Sequence, residues 1–248
     1  MAASSDVLDD LEAEQDRLES LLGSLDEADW ARPSSCAGWS VADVVLHLAQ
    51  TEENVVAAVS GGTFEPPEGI SGSTVDEIVD QWVAAERGRP PDQVFERWKQ
   101  ARREALTALR DADPDRPVAW AAAPLKPRTL ATTRLAEHWV HAHDVADPLG
   151  ASYPDSDRLW HIAWLAHRTI PFAYARAGRS DPPTVHLELE SPGGEMWTFP
   201  PIDADVTITG TASEFCRVAG RRLSPEATVL ETRGERAGEV LELVRTYA

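Results

Sequence analysis

The chain has 248 residues, 42% of them apolar, which suffices for one large domain or two small ones with a real core. Acids outnumber bases 42 to 23, and the resulting net charge of −19 argues against nucleic acid or anionic membrane surfaces as partners, since both are polyanions. The amino terminus carries acids where a secretory leader needs bases, and no run of about 18 apolar residues marks a membrane span. The two cysteines, Cys36 and Cys216, are too far apart in sequence to imply a disulfide framework, so the expected setting is a reducing cytoplasm.

Over residues 6–26, Leu8, Leu11, Leu18, Leu21, Leu22 and Leu25 form a helical stripe against an acidic, solvated face. Ala28 to Gly38 is rich in turn formers and reads as a loop. Ser40 and Asp43 then make a capping box, with Trp39 and Val44 at the hydrophobic-staple positions, so a helix is expected from Val41 to about Val59. A loop from Gly61 to Gly72 precedes a short helix, Thr74 to Arg87. Pro90-Pro91 opens a longer one with Val94, Trp98, Ala101, Ala105 and Leu109 on one face. Residues 111–128 are a proline-rich connection. A helix from about Ala131 to Asp147 is expected to stop at Pro148 and Gly150. Four main helices with such connections fit a bundle.

The second half changes character. Residues 157–170 are helical in pattern up to Pro171, and Thr184 to Glu190 (TVHLELE) alternates like a half-buried strand. SPGGE makes a turn to a partner strand, MWTF, and Asp205 to Thr209 is a third strand. Thr211 and Glu214 form a second capping box, Gly220 ends the helix it opens, and a last helix runs from about Glu235 to Tyr247. The expected class is α+β, with a helical bundle over 1–150 and a small α+β domain over 151–248.

The chemistry concentrates in AEHWVHAHDVADPLG, which holds His138, His141 and His143. Residues four apart on a helix lie one turn above each other, so Glu137 and His141 share a face, continued by Asp144. His47 stands at the edge of an otherwise apolar helix face. His47, Glu137 and His141 together offer two nitrogens and a carboxylate, the donor set of a catalytic metal site that keeps one position open. Zinc is the first expectation, with nickel, iron or manganese also suited to mixed N/O donors. The bland readings are a packed helix-edge histidine and an i,i+4 surface pair. His138 and His143 point elsewhere and are expected as satisfied surface histidines, and Cys36, in a loop without an adjacent base, as a free thiol. Asp43 or Asp144 could orient a ligand imidazole, though Asp43 is claimed by the cap of Ser40.

GWSVADVVLHLA followed much later by RLAEHWVHAHDVADPLG resembles the paired signature of the DinB-like mycothiol-dependent enzymes, the maleylpyruvate-isomerase-like family. The resemblance spans residues 1–150 and implies a metal-binding four-helix bundle with ligands at His47, Glu137 and His141, accompanied by Arg134 and Asp144. It also implies mycothiol as co-substrate, a small electrophile as partner, and either isomerisation or S-transfer. The tail, ADVTITGTASEFCRVAGRRLSP, is similar to the closing segment of sterol-carrier-like and related C-terminal domains; the resemblance to the isomerase-like family implies an arginine in this domain that helps bind the substrate carboxylate. Arg221 or Arg222 is the nearest counterpart, set against a basic helix end that merely balances the helix dipole. A thiol is about 3% ionised or less at neutral pH, and a bound dication would remove its proton. A non-catalytic metal-binding bundle, and a module whose histidines are structural, stand as alternatives.

Overall fold

The structure, a computed structural model, describes residues 6–63, 67–121 and 123–246. It is of the α+β class, with ten α-helices and one four-stranded sheet among the described residues. Two compact units divide the chain. The helical unit takes residues 8–131 and 141–153, and the sheet unit takes 6–7, 132–140 and 154–246.

The helical unit contains α1 (Val7–Leu22), α2 (Glu27–Trp30), α3 (Val41–Val59), α4 (Val75–Glu86) and α5 (Pro91–Asp111). It also holds both ends of α6 (Pro127–Leu149), one unbroken helix to which both units contribute. α3 begins and ends where its pattern predicts. The Ser40 hydroxyl accepts from the Asp43 N–H at 3.2 Å, and the Asp43 carboxylate accepts from the Ser40 N–H at 2.9 Å. Such a reciprocal cap is worth about 1 kcal/mol and sets the register of His47. α2 was not expected; Asp26 caps it inside a stretch rich in turn formers. α5 opens on Pro91, in the first turn, where a missing N–H costs nothing.

α6 corrects the sequence reading at its start and at Pro148, while Gly150 ends it as expected. It starts at Pro127, before the expected Ala131, and continues through Pro148 to Leu149, with Gly150 closing it at φ 68°. Pro148 cannot donate to the Asp144 carbonyl four residues back. The Ser35 N–H, from the loop before α3, donates to that carbonyl instead, at 2.9 Å. A partner from outside the helix thus replaces the bond whose loss would have ended it. Leu18 and Leu22 of α1, Val44, Val45 and Leu48 of α3, Val94 and Trp98 of α5, and Ala142, Val145 and Ala146 of α6 form one buried cluster.

In the sheet unit, β1 (Val185–Glu190) pairs antiparallel with β2 (Met196–Phe199) and parallel with β3 (Val206–Thr211). The short β4 (Glu231–Arg233) adds antiparallel to β3, giving the order β2-β1-β3-β4. The alternation in β1 buries Val185, Leu187 and Leu189. α7 (Leu159–Arg168) ends two residues before the expected 170, and Pro171 sits in the first turn of α8 (Ile170–Arg176) rather than ending helical structure. α9 (Ala212–Ala219) is capped by Thr211, whose hydroxyl accepts from the Glu214 N–H at 3.2 Å. α10 (Ala237–Leu243) ends early, and its expected end, Tyr247, lies outside the described residues, as do the first five residues of the chain.

Tyr174 of α8 is fully buried and donates to the Glu239 carboxylate at 3.1 Å. Burial, reinforced by that carboxylate, pushes the phenol up to about 12. An unfolded tyrosine titrates near 10, so the native state holds the extra proton in between, and the contribution present below pH ~10 is lost as pH rises toward ~12. Denaturant melts on the two sides of that window should show a smaller loss of stability for Tyr174→Phe than for the wild type.

Candidate metal centre

α3 supplies His47 and α6 supplies Glu137 and His141, one helical turn apart. One ligand atom from each of the three lies within 4.8 Å of the others. All three residues are buried, His47 at 7%, Glu137 at 8% and His141 at 5% exposure. The two imidazoles meet edge to face, with centroids 5.0 Å apart. Polar groups withdrawn from water in this way carry a large desolvation cost unless they share partners or an ion.

Trp39 stands over both histidines. Its ring is 5.3 Å from that of His47 and stacks on His141 at 6.5 Å, while its Nε1–H donates to Asp80 of α4 at 2.9 Å. The sequence marked Trp39 only as a staple residue. Asp144, 1% exposed, lies 2.9 Å from Nδ1 of His141 through Oδ2. A carboxylate in this position accepts from Nδ1, which leaves Nε2 as the ring nitrogen to offer a cation. Asp43 is taken up by the cap of Ser40 and by Arg87, whose Nε donates to it at 3.0 Å.

A second cluster joins Cys36, His141 and Asp144, and sequence reasoning missed it. The Cys36 Sγ is 3.0 Å from Asp144 Oδ2 and 3.8 Å from His141 Nδ1. Cys36 forms no disulfide, as expected, but it has a carboxylate neighbour that its own loop does not supply. His138 and His143 are not surface residues: they are 0% and 4% exposed. Nδ1 of His138 lies 2.8 Å from the Arg134 carbonyl, and the His143 ring meets that of Tyr153 edge to face at 5.5 Å. Arg221 has a left-handed backbone, φ 62°, and donates from its guanidinium to the Glu242 carbonyl at 2.8 Å; Arg222 donates to that of Gly220 at 2.9 Å.

Fold and cluster define a helical-bundle protein with a buried histidine–carboxylate centre and an α+β unit. The chain belongs to the mycothiol maleylpyruvate isomerase N-terminal domain family, whose model matches residues 11–146. Two uncharacterised proteins from two strains of Mycobacterium tuberculosis are each 31% identical to it over 253 residues, covering 100% of this chain and 97% of theirs. The crystal structures of the mycothiol-dependent maleylpyruvate isomerase and of a histidine-to-alanine mutant of it share the fold. Each superposes with a TM-score of 0.62 at 18% identity, covering 90% of this chain and 93% of the other. No helix among the described residues is long and apolar enough to cross a membrane.

Proposed function

We propose that this chain is a cytoplasmic, metal-dependent enzyme that uses a small thiol, mycothiol, as nucleophile toward a small electrophilic substrate. The observation that carries the reading is the buried convergence of His47, Glu137 and His141. The donor set fits a divalent cation of the zinc type: two imidazoles and one carboxylate leave a coordination position open, and the far nitrogen of His141 is anchored by Asp144. In this reading the metal-holding domain is 1–150 and the α+β domain is 151–248.

Bound there, such a cation supplies the Lewis acidity that converts a small thiol, about 3% ionised at neutral pH, into its thiolate. The protein's own groups do the rest. Asp144 holds the His141 ring in one tautomer, and the cap of Ser40 holds the register of His47. Trp39 covers one side of both imidazoles. A thiolate supplied in this way would add to an activated double bond, the displaced electron pair passing into the conjugated carbonyl; rotation about the resulting single bond and expulsion of the sulfur would give isomerisation, whereas protonation of the adduct at carbon would give S-transfer. Arg221 and Arg222 stay in this reading as candidates to hold a substrate carboxylate, through an interaction that would raise KM when removed and leave kcat unchanged.

Elemental analysis of protein purified without added metal, paired with calorimetric titration by mycothiol or a simpler thiol, tests the proposal. Near-stoichiometric metal and thiol binding that disappears in His47→Ala are expected. Protein that neither carries nor takes up metal would sink it. Metal without thiol binding would leave a metal-holding bundle that lacks the reaction.

A further inference from the structure

We infer that Cys36 is a positioning residue of this metal centre, its thiol fixing the carboxylate of Asp144 that in turn orients His141; the inference rests on the proposed metal reading. Two independent features place Cys36 there. The first is the backbone. Pro148 leaves the Asp144 carbonyl without its helical donor, and the Ser35 N–H fills the vacancy at 2.9 Å. That bond pins the loop before α3 to α6 at the residue whose side chain faces His141. The second is the side chain. With Ser35 held, the Cys36 S–H lies 3.0 Å from Asp144 Oδ2, the same oxygen that accepts from His141 Nδ1.

The loop is itself well ordered by its own bonds. The Cys36 N–H donates to the Ser34 hydroxyl at 3.1 Å, and the Trp39 N–H donates to the Cys36 carbonyl at 3.0 Å. Cys36, Trp39 and Ser40 thus belong to one hydrogen-bonded stretch of chain, which reaches His141 through Asp144, lies over both imidazoles, and caps the helix of His47. A carboxylate oxygen with two donors cannot swing away from the imidazole without abandoning the thiol as well. This holds Asp144 where its Oδ2 faces His141 Nδ1, so the ring keeps one orientation. The other cysteine plays no part: Cys216 is fully buried against the Leu159 carbonyl, and burial holds its thiol well above the usual range.

The test uses the full chain with zinc and cobalt(II) as probes. Zinc affinity by chelator competition should weaken about tenfold in Cys36→Ala, the lower end of what losing a partner one step removed from a metal costs. Cys36→Ser keeps an O–H donor and should recover most of that affinity. The cobalt(II) d–d bands should shift in Cys36→Ala, and the wild type should show no thiolate-to-cobalt charge-transfer band. Zinc should also slow alkylation of wild-type Cys36 by iodoacetamide, a measurement that stands even if the alanine variant does not fold. Unchanged zinc affinity in Cys36→Ala, a serine variant as weak as the alanine one, an alkylation rate indifferent to zinc, or a charge-transfer band that vanishes in Cys36→Ser would each overturn the assignment. A wild-type chain that takes up no metal would instead overturn the proposed function, and this inference with it.

Discussion

Replacing His141 with alanine is expected to abolish the stabilisation that zinc confers and to weaken zinc binding by more than the ~10–100-fold that losing an indirect partner costs. An ion that binds only the native chain adds about 2.7 kcal/mol of stability at a free concentration 100 times its Kd. The wild type should show that increment between its metal-free and zinc-loaded melts, and His141→Ala should show none. The metal-free variant should also be less stable than the metal-free wild type, because Asp144, 1% exposed, loses the imidazole N–H that it accepts at 2.9 Å. Leaving a buried acceptor short of a partner costs about 1–3 kcal/mol. The two effects separate cleanly, since only the first depends on added metal. Glu137→Gln is the companion variant: it keeps side-chain size and removes the negative charge, so it should also lose the zinc increment. Should zinc raise the melting temperature of His141→Ala as much as that of the wild type, the ion is seated elsewhere.

What was legible in the sequence was what is encoded locally. The bond pattern of the Ser40–Asp43 capping box lies within four residues, so α3 begins where it was read to begin. The four-residue step from Glu137 to His141 is a property of any helix, and its pairing with His47 was carried by the order of two motifs. What escaped depends on partners brought in by the fold. Pro148 reads as a stop because its helical bond is missing, yet Ser35, far away in sequence, supplies the replacement. The same approach gives Cys36 a carboxylate neighbour that its own loop does not contain. His138 and His143 read as surface residues because their polar partners, the Arg134 carbonyl and the Asp147 carboxylate, lie on the same helix and carry no sign of burial; what buries them is packing from outside the helix, as in the contact of His143 with the Tyr153 ring. β4 escaped for another reason: its three residues are all exposed, so no hydrophobic alternation marks them, and only pairing with β3 makes them a strand.

Trp98→Ala is expected to produce the largest loss of stability, about 3–5 kcal/mol, the range for removing a fully buried indole from a packed core. For a chain of this size that corresponds to a fall of about 6–20 °C in melting temperature, at ~2–4 °C per kcal/mol. Trp98 is 0% exposed, belongs to the cluster that includes Val44, Val45 and Leu48 of α3, and stacks on Phe95 at 6.1 Å. It therefore backs the apolar face of the helix whose edge carries His47, without itself being one of the proposed ligands. The loss should be equal in metal-free and zinc-loaded protein, so the zinc increment should survive, the reverse of the pattern expected for His141→Ala. Thermal melts of both variants, each with and without zinc, make the comparison directly. If Trp98→Ala kept its helical circular dichroism but lost the zinc increment, core packing between α5 and α3, rather than the cap and local helix geometry, would be what holds His47 in register with His141.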